Sequence, residues 1–218
     1  MTPLPAGARA EPFFLERAGG QLFCLFHPAA GACRGAVLYV HPFAEEMNRS
    51  RRMAALQARA LAAQGFAVLQ VDLHGCGDSS GDFADARWDG WLGDVGAARA
   101  WLEQRAGRVP ALLGLRLGAV LAVDYARRAE RPPAALMLWQ PVIDGAAFLT
   151  QFLRLRTAGA MLAGEEGGGT AALRAALAAN EVLEVAGYDL HPQLAQAIDA
   201  LKLASLAPPA VPVHWFDL

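Results

Sequence analysis

Apolar and polar positions along the chain change period several times, and each change marks an element. Residues 13–17 and 21–27 are strand-like runs on either side of Gly19-Gly20, which predicts a β-hairpin closed by that two-residue turn. The run Ala36-Val37-Leu38-Tyr39-Val40 is continuously apolar, the pattern of a strand buried on both faces. Over about 48–64, Met53, Leu56, Ala60 and Leu61 fall on one helical face, with Gly65 where a terminating glycine would sit. Residues 66–71 predict the next buried strand, and 72–87 a loop rich in Gly, Asp and Ser. A second helix over about 88–105 places Trp88, Trp91, Leu92, Val95 and Leu102 on one face. A strand at 109–113, a sharp glycine-containing turn, a helix to about Arg128 and a strand at 134–139 complete the series.

This order, a hairpin followed by β-α-β-α-β-α-β, predicts an α/β fold with a mostly parallel sheet and helices on both faces. The alternation stops at about residue 145. Residues 145–206 show only helical patterning, and Gly164–Gly169 predicts a mobile loop within them. The expectation is one α/β domain over 1–218, with 145–206 as an inserted helical cap and 211–216 as a last strand.

Composition narrows the classes. In 218 residues, 55% are hydrophobic and 18% charged, which fits a packed globular chain rather than a disordered one. A net charge of −2 gives no electrostatic reason to expect nucleic acid or an anionic membrane as partner. Three cysteines argue against a disulfide framework and for a reducing compartment. No signal-peptide pattern and no apolar run of membrane-spanning length is present, so the expected location is the cytoplasm. The histidines and cysteines lack metal-ligand spacing, so no metal and no cofactor is expected.

Candidate chemistry sits in four turns at the carboxyl ends of the parallel strands, where open α/β sheets bind ligands. The first is Gly114-Leu115-Arg116-Leu117-Gly118. Its strand–turn–helix context and its two glycines are those of the Gly-x-Ser-x-Gly nucleophile elbow, but arginine stands in place of serine. A guanidinium stays protonated and has no lone pair for attack on a carbonyl. Two readings follow: an anion clamp aimed at a carboxylate or phosphate, or an inactive elbow whose arginine is held by a nearby carboxylate. The second turn, His41-Pro42-Phe43-Ala44-Glu45-Glu46-Met47-Asn48, would supply an oxyanion-hole N–H from Phe43, alongside that of Leu117; Pro42 has none. Glu45 or Glu46 is the expected partner of Arg116, and His41 is read mainly as a structural histidine, with catalytic base as the alternative. In the third, Asp72-Leu73-His74-Gly75-Cys76-Gly77-Asp78-Ser79-Ser80-Gly81, the acid and serine are expected to hold the loop. Ser79, Ser80 or Cys76 as a substitute nucleophile is the alternative. In the fourth, Gln140-Pro141-Val142-Ile143-Asp144-Gly145, Asp144 is a candidate catalytic acid and equally a turn or helix-capping residue.

Together these residues make the chain resemble the α/β-hydrolase superfamily over nearly its whole length. It looks most like the second of two hydrolase families associated with the exosortase system, found near exopolysaccharide and protein-sorting genes in Gram-negative bacteria. The segments carrying this are 41–48 with Arg51-Arg52, 72–79, Gly114-Leu115-Arg116-Leu117-Gly118-Ala119, 139–145, and Glu184-Val185-Ala186-Gly187-Tyr188 in the cap. The resemblance implies that arginine at the elbow is usual in that family. It also implies a triad histidine after the last strand, where only Asp217 and Leu218 follow 211–216, so a final strand and helix are expected to be missing. Two functions stay open. One is hydrolysis of an ester or related bond by an unusual nucleophile. The other is a non-catalytic accessory role, binding a small anionic molecule or a protein partner. The sequence does not specify an oligomeric state.

Overall fold

In the computed structural model, which describes residues 9–162, 169–207 and 210–217, strands β1 (Glu11–Arg17) and β2 (Gly20–His27) form the expected hairpin. Arg17 pairs with Gly20, so the turn residues are Ala18 and Gly19, one position earlier than the Gly19-Gly20 pair suggested. The chain continues through β3 (Gly35–Val40), α1 (Glu45–Ala63), β4 (Phe66–Val71), α2 (Trp88–Ala106), β5 (Pro110–Leu115), α3 (Leu117–Arg128) and β6 (Leu136–Trp139). Then come α4 (Gly145–Leu162), α5 (Thr170–Ala178), a small hairpin of β7 (Leu183–Val185) and β8 (Tyr188–Leu190), α6 (Pro192–Asp199) and β9 (Val213–Phe216). Seven strands form one sheet in the order β1-β2-β4-β3-β5-β6-β9, parallel from β4 through β9, with β2 joining β4 antiparallel. This is the α/β-hydrolase arrangement.

The central strands are buried on both faces because side chains alternate. In β3, Ala36, Leu38 and Val40 enter the large core beneath α2, α3 and α4, while Val37 and Tyr39 enter the smaller core beneath α1. α2 buries all five of the apolar residues expected of it: Trp88, Trp91, Leu92, Val95 and Leu102. The face of α1 is a correction. Ala54, Ala58 and Ala62 line the sheet, whereas Met53 is 48% and Leu56 40% exposed. Alanines at i, i+4 and i+8 let the helix approach closely, and the bulky pair at 53 and 56 turns outward.

Two more expectations change. The insert is not wholly helical: β7 and β8 pair around Ala186 (φ 53) and Gly187 (φ 84), a two-residue turn with both φ positive. Most of the Gly164–Gly169 stretch lies outside the described residues. The insert leaves the sheet at Asp144 and returns at Lys202, where the two residues form a β-bridge and Lys202 Nζ meets Asp144 Oδ2 at 2.5 Å.

Candidate active site

The elbow glycines are there because neighbouring backbone leaves no room for a side chain. A Cβ on Gly114 would lie 2.3 Å from Ala119 Cα, and one on Gly118 would lie 2.3 Å from the His41 carbonyl oxygen. Arg116 therefore takes φ 55, ψ −117 at the start of α3, a conformation that costs a non-glycine residue on the order of 1–3 kcal/mol. Its N–H donates to Trp139 O, and its carbonyl accepts from Ala119 and Val142, so the turn is locked from β6 as well as from α3. The two neighbouring strand ends carry similar kinks, Ala44 (φ 48) after β3 and Gln140 (φ 43) after β6.

The arginine side chain reaches the first turn of α1. Arg116 Nε donates to Glu46 Oε1 at 3.2 Å, and its Cζ lies 6.0 Å from the centre of the Phe148 ring. The two side chains are 33% and 26% exposed, so this is a partly solvated, single-point contact rather than a sealed ion pair. Among the described residues, no protein acceptor takes a hydrogen bond from the two Nη groups. Burial raises the Glu46 carboxyl above its ordinary range; Arg116 opposes this and Glu45 adds to it. One oxygen of Glu45 and one of Glu46 are buried without a hydrogen-bond partner. The Phe43 and Leu117 N–H groups, the pair expected at an oxyanion hole, are not taken up by any other backbone carbonyl among the described residues.

Aromatic side chains pack around the β3 loop beside the elbow. Phe43 packs edge-on against Phe83, Phe148 and Phe152, with centroids 5.0–5.7 Å apart. On the core side of the β3 loop, Phe43, Trp88, Trp91 and Leu117 leave a gap of only about 10 Å³.

The remaining candidates are engaged elsewhere. His41 is buried; its Nδ1 lies 2.7 Å from Pro42 O and its Nε2 accepts from Leu73 N, which fixes a neutral ring between the β3 and β4 loops. Burial lowers its pKa. Asp72 holds Arg51 through two contacts of 3.3 and 2.9 Å and accepts from Asp78 N. Ser79 Oγ donates to Asp72 O and accepts from Phe23 N, and Ser80 Oγ accepts from Gln21 N, so both serines tie the loop to β2. Cys76 is buried, which pushes its thiol well above the ordinary range and away from thiolate. Asp144 caps α4 through Ala147 N and pairs with Lys202, which lowers its pKa. His191 caps α6, and His214 lies exposed in β9. Among the described residues no histidine hydrogen-bonds Arg116. Sequence reasoning did not foresee that Phe148 and Phe152 would cover the elbow, since nothing in their helical pattern specifies a partner in the β3 loop.

No curated protein matches the chain. Solved structures do. The chain is similar to a protein from Butyrivibrio proteoclasticus solved with ferulic acid bound, at 16% identity and TM-score 0.69, covering 93% of this chain and 77% of that one. It is also similar to a serine hydrolase without a lid from Xanthomonas campestris, at 21% identity and TM-score 0.53, with 64% of each chain covered. A serine hydrolase homologue from Coxiella burnetii aligns at 23% identity and TM-score 0.52, covering 60% of this chain and 62% of that one. The chain thus spans somewhat less than two thirds of the Xanthomonas and Coxiella proteins. A family model described as serine aminopeptidase, S33, matches residues 31–196, which include the elbow and most of the insert, and the chain therefore belongs to that family of α/β hydrolases.

Proposed function

We propose that this chain uses the α/β-hydrolase frame to bind a small anionic molecule at the elbow and does not carry out serine-triad hydrolysis. The observation that carries this is the state of Arg116: fixed in the elbow turn, held by Glu46 through Nε alone, with no protein acceptor described on either Nη. A carboxylate or phosphate accepting from both Nη groups would form a charge-assisted pair of bonds. The Leu117 and Phe43 N–H groups, not taken up by any backbone carbonyl among the described residues, are candidate further donors, and the start of α3 favours negative charge. None of the three candidate substitutes is placed to replace the missing nucleophile, since Ser79 and Ser80 are committed to the loop and Cys76 is buried as a thiol. The resemblance to the exosortase-associated family supports an accessory role near exopolysaccharide or protein-sorting chemistry.

Glu46 competes with such a ligand for the guanidinium. Its carboxyl is raised, so it protonates above the ordinary glutamate value of about 4.3, and the competing charge is lost as pH falls through the raised value. Anion affinity therefore rises on acidification and falls on return to neutral pH.

Calorimetric titration with inorganic phosphate and with malonate tests this. Arg116→Ala should weaken binding about tenfold or more. Glu46→Gln should tighten it and leave only the pH dependence that comes from protonation of the probe itself. Affinity indifferent to Arg116→Ala, or turnover of short aryl esters by the unmodified chain, would overturn the proposal.

A further inference from the structure

The charge at the elbow extends beyond Arg116. α1 opens on Glu45 and Glu46, and Glu46 Oε1 accepts from Arg116 Nε. Glu45 is near enough to Glu46 for its charge to oppose ionisation of that carboxyl, and Arg49, one turn further along α1, favours it. Two carboxylates and two guanidinium groups therefore share this corner, and they sum to no net charge when all four are ionised. Arg51, the next arginine of α1, stands outside the sum because Asp72 holds it.

Both poles of this cluster are open to solvent and unused. Glu45 Oε2 is enclosed, whereas Glu45 Oε1 reaches solvent and pairs with no cationic side chain among the described residues. The Arg116 side chain is 33% exposed, and among the described residues neither Nη is enclosed or bonded to a protein acceptor. An ion of one sign gains little net attraction here. An anion on the Nη groups also meets the field of the neighbouring carboxylates, and a simple cation at Glu45 meets that of the two arginines.

We infer that the elbow takes a zwitterion of the amino-acid class, a small molecule with a carboxylate and a primary ammonium a few bonds apart. This rests on the reading of Arg116 as an anion-binding group and narrows it. The ligand carboxylate accepts from the two Arg116 Nη groups, and its ammonium donates to Glu45 Oε1. Glu46 fixes the guanidinium through Nε and adds a second negative charge for the ammonium to face. A simple acid satisfies only Arg116 and brings a like charge towards Glu45. A simple amine satisfies only Glu45 and leaves the guanidinium unpaired. A molecule with both charges adds none to a corner that is already balanced, so each of its poles keeps the benefit of its own contact.

The full chain is titrated calorimetrically at neutral pH with glycine, β-alanine and 4-aminobutyrate. Each is compared with the nitrogen-free acid of the same length: acetate, propionate and butyrate. The series also reads the separation of the two poles. At least one amino acid should bind about tenfold more tightly than its counterpart. Glu45→Gln should cut that advantage to about twofold or less and tighten the plain acid, since a like charge is gone. Arg116→Ala should weaken both members of the pair, with circular dichroism unchanged in each variant. The inference falls if no amino acid outbinds its counterpart, or if the advantage survives Glu45→Gln. When Arg116→Ala still weakens the plain acid in those cases, the anion-binding reading of the elbow stands without it. Affinities of all the probes indifferent to Arg116→Ala overturn both.

Discussion

At Arg116 the backbone and the side chain carry separable information. The strained φ of 55 is imposed by its neighbours, because the chain can turn this sharply only where Gly114 lies against Ala119 and Gly118 against the His41 carbonyl. The guanidinium decides only what the turn presents. Gly118→Ala tests the first half of that statement: its Cβ would meet two carbonyl oxygens, of Val40 and His41, at 2.4 and 2.3 Å, and backbone cannot yield as a side-chain tip can. The expected loss is about 3 kcal/mol or more by urea denaturation, at the upper end for a single substitution. Loss of less than about 1 kcal/mol would mean that the elbow is looser than drawn. The two glycines with their strand–helix context were legible in the sequence for this reason. The Glu46 contact was legible only as a choice between two adjacent glutamates, since which one reaches back depends on how the Ala44 kink starts α1.

At the scale of elements, the succession of strands and helices along the chain up to β6 followed from alternation, but sheet order, faces and partners did not. The burial of α2 could be read because its large aromatics leave a single apolar stripe. That of α1 could not, because its sheet-facing stripe is alanine, and hydropathy weights Met53 and Leu56 more heavily than the close approach that Ala54, Ala58 and Ala62 permit. The β7–β8 hairpin was missed because strands of three residues are shorter than any reliable period and its turn carries Ala186 where Asn or Asp would signal it. The packing of α4 over the elbow is a tertiary property. Phe152, 4% exposed, meets Phe43 edge-on at 5.0 Å, so it fastens the insert to the β3 loop. Phe152→Ala should cost about 3–5 kcal/mol in guanidinium unfolding and leave a cavity beside Phe43. Proteolysis within α4 should then become faster while the parallel strands keep their amide-exchange protection. Uniform loss of protection across the sheet would instead show that insert and sheet unfold as one unit.

Across the whole molecule, acidic groups are buried in two opposite senses. Asp124 accepts from Trp88, Arg127 and Arg128, and despite its burial these bonds hold its pKa below the ordinary aspartate value. It adds stability above about pH 4, lost as pH falls through the depressed value. Asp94 is fully buried and its pKa is raised by that burial, with the His74 N–H at 2.8 Å and Arg17 Nε at 2.8 Å offsetting only part. Its contribution has the reverse sign: present below about pH 4 and lost as pH rises through the raised value. Arg17 ends β1 and Asp94 lies in α2, so this pair adds a buried charged link between the N-terminal hairpin and the main core. Removing the arginine strands a buried carboxylate, at a cost of about 3 kcal/mol near neutral pH. The same Arg17→Ala change should cost much less near pH 4, where the folded chain can protonate Asp94 instead. Arg17→Ala with Asp94→Asn should recover most of the loss at neutral pH, because the neutral amide needs no counter-charge. Chemical denaturation of the three variants at both pH values decides this, and an Arg17→Ala penalty independent of pH would show that the arginine acts through packing of its stem rather than through the buried charge.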